Sequence, residues 1–318
     1  MDGTQYKGKV DILIGGSPCQ DFSLAGLRKG IDGNKGILIY EYIRIIKEVQ
    51  PPIFIYENVK GMLSDKGGKT IKDFVQAFRE MGYNCHYEVL NTKDYGVPQN
   101  RERIFLVGFK DSEHYHRFAF APKIKLEKRL VHLLETNVDE RYYLKENALS
   151  KFEFVNMNGN QIGKIGGPVS KEHNSITNRI FDIDKLSPTL TTASTGGNQE
   201  VKVLVPSANK KGYEVAKDGD GIMLEHLGSS TGRGRVQSEK SQTLTTSGNQ
   251  GVYINFRIRK LTPREYFRLQ DFPDSFKFVV SNSQLYKQAG NSISVNMMEM
   301  IFRQIEKSRY ESCLGGLF

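Results

Sequence analysis

Three absences narrow the problem first. No apolar run in the 318 residues approaches the length that crosses a bilayer, and the N-terminal stretch carries no signal-type apolar core. Only three cysteines occur, Cys19, Cys85 and Cys313, too few and too widely spaced for a disulfide framework. That pattern suits a reducing compartment in which a thiolate survives, so a soluble intracellular chain is expected. Metal and phosphate signatures are missing as well. His114 and His116 stand two apart in an expected loop without cysteine partners, and no metal site is expected. Gly68-Lys69-Thr70 lacks the earlier glycine of a P-loop because that position is Leu63. No histidine and orienting acid are nominated beside Cys19, as a cysteine hydrolase would require.

What is present is a chain with 38% hydrophobic residues, enough for one large or two modest domains. Lys and Arg outnumber Asp and Glu by 45 to 36, and this excess suits a polyanionic partner.

The apolar, β-branched run Val10-Asp11-Ile12-Leu13-Ile14 predicts a short buried strand. It leads into Gly15-Gly16-Ser17-Pro18-Cys19-Gln20-Asp21-Phe22-Ser23, which places a thiol on a sharp turn at the strand's carboxyl end. Ligands bind at that edge of open α/β sheets. Pro18 fixes its own φ and biases Ser17 toward extended backbone. Residues 24 to 36, rich in Gly, Lys, Arg and Asn, predict a long mobile loop. Helices are expected at 37–49, stopped by Pro51-Pro52, and at 69–81; strands are expected at 53–56, 83–90 and 103–109. This alternation predicts a parallel, Rossmann-like sheet.

Past Lys110 the periodicity dissolves. Leu186-Ser187-Pro188-Thr189-Leu190-Thr191-Thr192 with Gly197-Asn198-Gln199 is echoed by Gln242-Thr243-Leu244-Thr245-Thr246 with Gly248-Asn249-Gln250. Each copy precedes an apolar run, 201–205 and 252–254, and the pair predicts two similar strand-turn-strand units in a small, mostly β domain. Thr262, Pro263 and Glu265 form the sequence of a capped helix start. An amphipathic helix over 292–307 should close the first domain. The expected division is 1–124 plus 286–318 for that domain and 125–285 for the other.

Five blocks in order now carry a resemblance: Pro18-Cys19-Gln20 with Phe22-Ser23; Glu57-Asn58-Val59; Gln99-Asn100-Arg101-Glu102-Arg103; Arg259 to Glu265 with Leu269 to Asp274; and Gln288-Ala289-Gly290-Asn291-Ser292. Together they resemble the DNA (cytosine-5)-methyltransferases. The resemblance covers the whole chain, loosely between about 125 and 255. It implies a Rossmann-like α/β methyltransferase sheet with a smaller, mostly β target-recognition domain, acting on double-stranded DNA. The implied reaction moves a methyl group from S-adenosylmethionine to carbon 5 of a flipped cytosine. A thiolate adduct at carbon 6 makes carbon 5 nucleophilic. Cys19 is the implied nucleophile, Glu57 holds the ring edge, and Arg103, with Arg101 as second candidate, positions the base. Taken singly, Cys19 also fits a buried structural thiol, Glu57 a helix cap or surface acid, Arg101 and Arg103 surface ion pairs, and Asn291 a helix cap. The implied DNA contacts are Gln20, Ser23, Arg28 and Lys29 in the loop, with Arg233 and Arg235 in the second domain. The Thr-Thr and Gly-Asn-Gln turns offer further groups for base edges, or serve only as hairpin chemistry. The setting is expected to be the cytoplasm of a prokaryotic or phage-infected cell.

One departure stands out. The family's glycine-rich turn and following acid, which cradle the cofactor, precede the Pro-Cys block by some sixty residues, and here seventeen residues precede Pro18. By resemblance the cofactor rim is left with Pro18, Leu38, Asn291 and Ile293. The sheet is expected to be N-terminally incomplete, with exposed apolar edges, and either a fragment or a chain completed by a second polypeptide. A DNA-binding remnant or subunit without turnover is the alternative function.

Overall fold

Buried β-branched runs alternate with amphipathic helices through the first hundred residues, and they assemble as a sheet with helices on both faces. The computed structural model describes residues 2–16, 37–155, 161–163, 202–227, 229, 231–255 and 257–310. The chain divides into two compact units: Met1–Gly96, Arg101–Leu126 and Ile293–Phe318 in the first, Val97–Asn100 and Glu127–Ser292 in the second.

In the first unit the chain runs β1 (Ile12–Gly15), α1 (Ile37–Val49), β2 (Ile53–Val59), α2 (Lys69–Glu80) and β3 (Asn84–Asn91). A two-residue strand, β4 (Gln99–Asn100), belongs to the second unit, and the chain returns as β5 (Glu102–Phe109) and α3 (Ser112–Arg117). His114 and His116 therefore sit on a short helix rather than in the expected loop. The sheet order is β1-β2-β5-β3. β1 and β2 are parallel, but β5 runs antiparallel to both β2 and β3, which corrects the expectation of an all-parallel sheet. A parallel neighbour needs a crossover of about a dozen residues or more, usually helical, and residues 92–101 leave no room for one.

Strand alternation sends side chains to two cores. Phe54, Tyr56, Ile104 and Leu106 pack with Ile39 and Ile46 of α1 and with Ile71, Phe74 and Phe78 of α2. Ile53, Ile55, Phe105, Val107 and Phe109 pack on the other face with Met297, Ile301 and Ile305 of the chain's last helix, α7 (Val295–Tyr310). β1 is an outer strand, and Ile14, Leu38 and Tyr40 are exposed in this unit.

The second unit is built from small sheets. Strands β6 (Glu153–Val155), β7 (Gln161–Gly163), β8 (Lys202–Pro206) and β9 (Tyr213–Ala216) form one, in the order β7-β6-β8-β9. Strands β10 (Gly221–Met223), β11 (Val236–Gln237), β13 (Gln250–Ile254) and β14 (Arg257–Lys260) form another, in the order β11-β10-β13-β14, and β12 (Ser241–Gln242) pairs with β4. The strands expected at 201–205 and 252–254 are β8 and β13. Helix α4 (Glu146–Leu149) is one turn. Helix α5 (Pro263–Arg268) starts with the expected capping box: Thr262 Oγ1 accepts from the Glu265 N–H at 3.2 Å and Glu265 Oε2 accepts from the Thr262 N–H at 2.8 Å. Helix α6 (Asn282–Asn291) was not anticipated, and the expected domain boundary at 285/286 would cut it. Its Leu285 and Ala289 share a core with Tyr266 and Phe267 of α5, so it belongs whole to the second unit.

The base of this unit is polar. Arg259, 2% exposed, donates to both oxygens of Glu265, 0% exposed, at 2.8 and 2.7 Å. The Glu135 N–H donates to the same carboxylate at 2.8 Å. A buried pair held this completely specifies how β14, α5 and residue 135 meet.

Candidate functional site

Glu57 is the fifth residue of β2, neither a helix cap nor a surface acid. Because β5 is antiparallel, the end of β2 lies beside the start of β5, with Val59 paired to Arg103 and Glu57 to Phe105. Glu57 and Arg103 thus rise from the same sheet face, and Arg103 Nε lies 3.0 Å from Glu57 Oε1. Both side chains are largely withdrawn from water, 15% and 13% exposed. Burial pushes the Glu57 carboxyl above the usual carboxylate range, against the opposing pull of Arg103 and Arg101. Arg101 is buried, and its backbone bridges to Asn91 and Thr92. Neither arginine is an ordinary surface ion pair with the intervening acid: Glu102 bonds Lys60 at 3.0 Å instead.

These three groups line a cleft of about 210 Å³ together with Leu90, Thr92, Phe105, Ile293, Ser294 and Met297. Thr92 and Ser294 were missed by the sequence reading; Ser294 follows Ile293 directly, and nothing in the sequence marks Thr92.

Two glycines let the end of β1 pack closely on its neighbours. A Cβ on Gly15 would stand 2.7 Å from the Tyr42 ring, and one on Gly16 would stand 2.6 Å from the backbone oxygen of Glu57. The chain therefore leaves β1 pressed against Glu57, three residues before Cys19. Pro18, Cys19, Gln20, Ser23, Arg28 and Lys29 lie outside the described residues. Cys85 is a different kind of thiol: it is buried in the α1–α2 core, and burial pushes it up to about 12. Among the described residues no cluster of three or more His, Cys, Asp or Glu side chains could hold a metal ion.

This arrangement sits on a sheet that solved structures share. The chain superposes with a TM-score of 0.51 on the Schizosaccharomyces pombe Dnmt2 methyltransferase, at 16% identity, covering 98% of this chain and 83% of that one. For the Entamoeba histolytica methyltransferase EhMeth the TM-score is 0.52, at 14% identity, covering 95% of this chain and 78% of that one. Those likenesses establish a Rossmann-like methyltransferase fold. The family model for C-5 cytosine-specific DNA methylases matches residues 1–307. The chain belongs to that family.

Similar relatives carry matching names. The orphan methyltransferase M.SPRI of Bacillus phage SPR is 33% identical over 93% of this chain and 82% of its own length. The type II methyltransferase M.FnuDI of Fusobacterium nucleatum is 33% identical over 94% of this chain and 77% of its own. The methylase is thus a DNA cytosine-5 methyltransferase. A second polypeptide completing it finds no support in these comparisons. No helix among the described residues is long and apolar enough to cross a membrane.

The remaining expected residues separate cleanly. Ile293 lines the cleft, while Leu38 is 41% exposed on the first turn of α1 and Asn291 is exposed at the end of α6. Both Leu38 and Ile293 are apolar, the kind of surface an adenosyl group packs against, but Ile293 lines the cleft and Leu38 does not. Arg233 is exposed. Arg235 turns inward, 3% exposed, donating to the carbonyls of Glu225 and His226 at 2.5 and 2.7 Å, so its guanidinium ties a turn instead of facing DNA. The described Thr-Thr and Gly-Asn-Gln turn is also spent internally. Thr245 Oγ1 donates to Asn249 Oδ1 at 2.6 Å, Asn249 Nδ2 donates to Glu225, and Gln250 is 1% exposed. The strands on either side of this turn, β12 and β13, lie in different sheets, so it is a connecting turn and not a hairpin; the first copy of the echo lies outside the described residues.

Proposed function

We propose that this methylase transfers a methyl group from S-adenosylmethionine to carbon 5 of a cytosine flipped out of duplex DNA, with Cys19 as the nucleophile. The observation that carries the proposal is the Glu57 carboxyl, raised by burial and tied to Arg103, on a residue whose backbone oxygen would stand 2.6 Å from a Cβ added to Gly16, three residues before Cys19. The Cys19 sulfur bonds to carbon 6, and the electrons of the 5,6 double bond move into the ring. Glu57, in its protonated form, donates to ring nitrogen 3 and lowers the cost of that charge. Arg103 then stabilises the carboxylate that Glu57 becomes, and Arg101 adds positive potential from the same side. S-adenosylmethionine, bound against Leu38 and Ile293 with Pro18 and Asn291 by family resemblance, supplies an electrophilic methyl group. Loss of the carbon 5 proton to a water molecule, with return of the nitrogen 3 proton to the Glu57 carboxylate, restores the double bond and expels Cys19 as its thiolate.

The test is mechanism-based trapping. Duplex DNA with 5-fluorocytosine at the target blocks the last step, so the wild-type chain with S-adenosylmethionine should form an adduct stable to denaturation. Cys19→Ser should form none. Adduct formation by Cys19→Ser refutes the nucleophile; binding of DNA without adduct in the wild type favours a binding subunit without turnover.

A further inference from the structure

With Arg235 and the Gly-Asn-Gln turn committed internally, the exposed basic groups of the second unit gain importance. Two turns meet there. In the β8–β9 turn the Ser207 N–H donates to Gly212 O at 2.9 Å, and the Asn209 side chain bonds the Lys211 N–H and Tyr213 O at 2.9 and 2.8 Å. Lys210 and Lys211 stand exposed on its tip. The second turn, 231–236, is bound to it: the Ala208 N–H donates to Gly232 O at 2.7 Å, and Arg233 Nε donates to Ala208 O at 3.1 Å. Gly232 packs on the buried guanidinium, where a Cβ would stand 2.0 Å from an Arg235 nitrogen.

Glu214 of β9 locks the two together. Its Oε1 accepts from the Ser207 hydroxyl at 2.5 Å and the Gly234 N–H at 2.8 Å, and its Oε2 accepts from the Val236 N–H at 3.0 Å. These bonds hold its carboxyl below the usual range despite partial burial. The Glu214 carboxylate is thus occupied by backbone and hydroxyl donors. Among the described residues Lys210, Lys211 and Arg233 enter no ion pair, so three cations stand exposed on a braced corner.

We propose that this corner grips the phosphodiester backbone of the target duplex, and that Glu214 is its positioning residue. The proposal rests on the DNA-methylating reading above. Phosphate fits better than a base edge. Two of the three cations are lysines, compact charges suited to phosphate, and Arg233 has already given its Nε to Ala208. Such contacts set register and affinity without choosing sequence.

The experiment uses the full chain and fluorescence anisotropy with a target duplex across a salt series. Removing all three cations (Lys210→Ala, Lys211→Ala, Arg233→Ala) should lower the slope of log affinity against log salt by about 2.7, or about 0.9 per contact. Between about 50 and 200 mM salt the variant should then lose about 40-fold less affinity than the wild type. The methylated sequence should not change. Glu214→Gln keeps the volume but sets an amide against backbone N–H donors; it should lower the slope in the same direction. Added to the triple variant it should lower it no further, because it acts through the same contacts. An unchanged slope in the triple variant overturns the corner, and a changed methylation sequence overturns phosphate in favour of base contact. Loss of thermal stability with an unchanged slope in Glu214→Gln overturns the positioning role. A wild-type chain that neither binds nor methylates any duplex overturns the underlying reading, an outcome visible before any variant is made.

Discussion

Glu57→Gln probes the chemistry at its acid. The substitution keeps the size of the side chain and a hydrogen-bond donor, an amide N–H in place of the carboxyl O–H, and removes the proton that can be released. In the wild type, Arg103 at 3.0 Å attracts the Glu57 carboxylate by about 5 kcal/mol if the effective dielectric is about 20. The carboxyl is nevertheless raised, so the desolvation of this largely buried site outweighs that attraction. The proposed chemistry uses the protonated acid, the form that burial favours. Its contribution to rate is therefore full at low pH and declines as pH rises through its elevated value. Glu57→Gln should abolish that alkaline decline and lower the rate by roughly 10²–10⁴-fold, or about 2.7–5.5 kcal/mol of barrier. Stability should respond with a defined sign. Between the ordinary value of 4.5 and the raised one the folded state binds more protons than the unfolded, so stability falls as pH rises through that window, and Glu57→Gln should flatten it. The assay is methyl transfer from about pH 5 to about pH 9, paired with the rate of 5-fluorocytosine trapping to isolate the addition step. A variant with wild-type rate and the same alkaline limb would refute the acid role.

Three further outcomes follow from the packing. Cys85→Ser should trap 5-fluorocytosine DNA as the wild type does, because the Cys85 thiol is buried and pushed up to about 12; loss of trapping would point to the wrong cysteine. Gly16→Ala should lower kcat about 10²-fold with a small change in Tm, since its Cβ meets the Glu57 carbonyl at 2.6 Å and must shift the route to Cys19; wild-type turnover would separate that turn from the site. Glu265→Gln should cost about 3–5 kcal/mol in urea unfolding by leaving Arg259 uncompensated, while Arg259→Met combined with Glu265→Leu should cost much less; equal losses would show that packing, not charge, governs the pair.

Much of this molecule was legible in its sequence where local physics decides. Helical spacing marked α1 and α2, and Thr262, Pro263 and Glu265 marked the start of α5, because caps and amphipathic faces are written within a few residues. Strand direction was not legible, since the antiparallel entry of β5 depends on a pairing with β2 more than forty residues away. Helix α6 escaped notice because Leu285, Tyr286 and Ala289 are its few apolar positions and Gly290 interrupts its last turn. At the site, the ordered blocks pointed to Glu57 and Arg103, but not to their neighbours Thr92 and Ser294. Arg233 and Arg235 look alike on paper. Only the carbonyls of Glu225 and His226, together with the missing side chain of Gly232, make one of them internal and leave the other outside.

The place of β5 between β2 and β3 also governs when the site comes into being as the protein is made. β3 is synthesised before β5 yet pairs only with it, so a nascent chain that stops short of residue 102 holds β3 without a strand partner and β2 with one edge open. Emergence of β5 satisfies both strands at once, and the same event delivers Arg103 to Glu57. The acid and its counter-charge are therefore joined by one strand insertion, while the rest of the cleft wall, Ile293, Ser294 and Met297, is supplied from the far end of the chain.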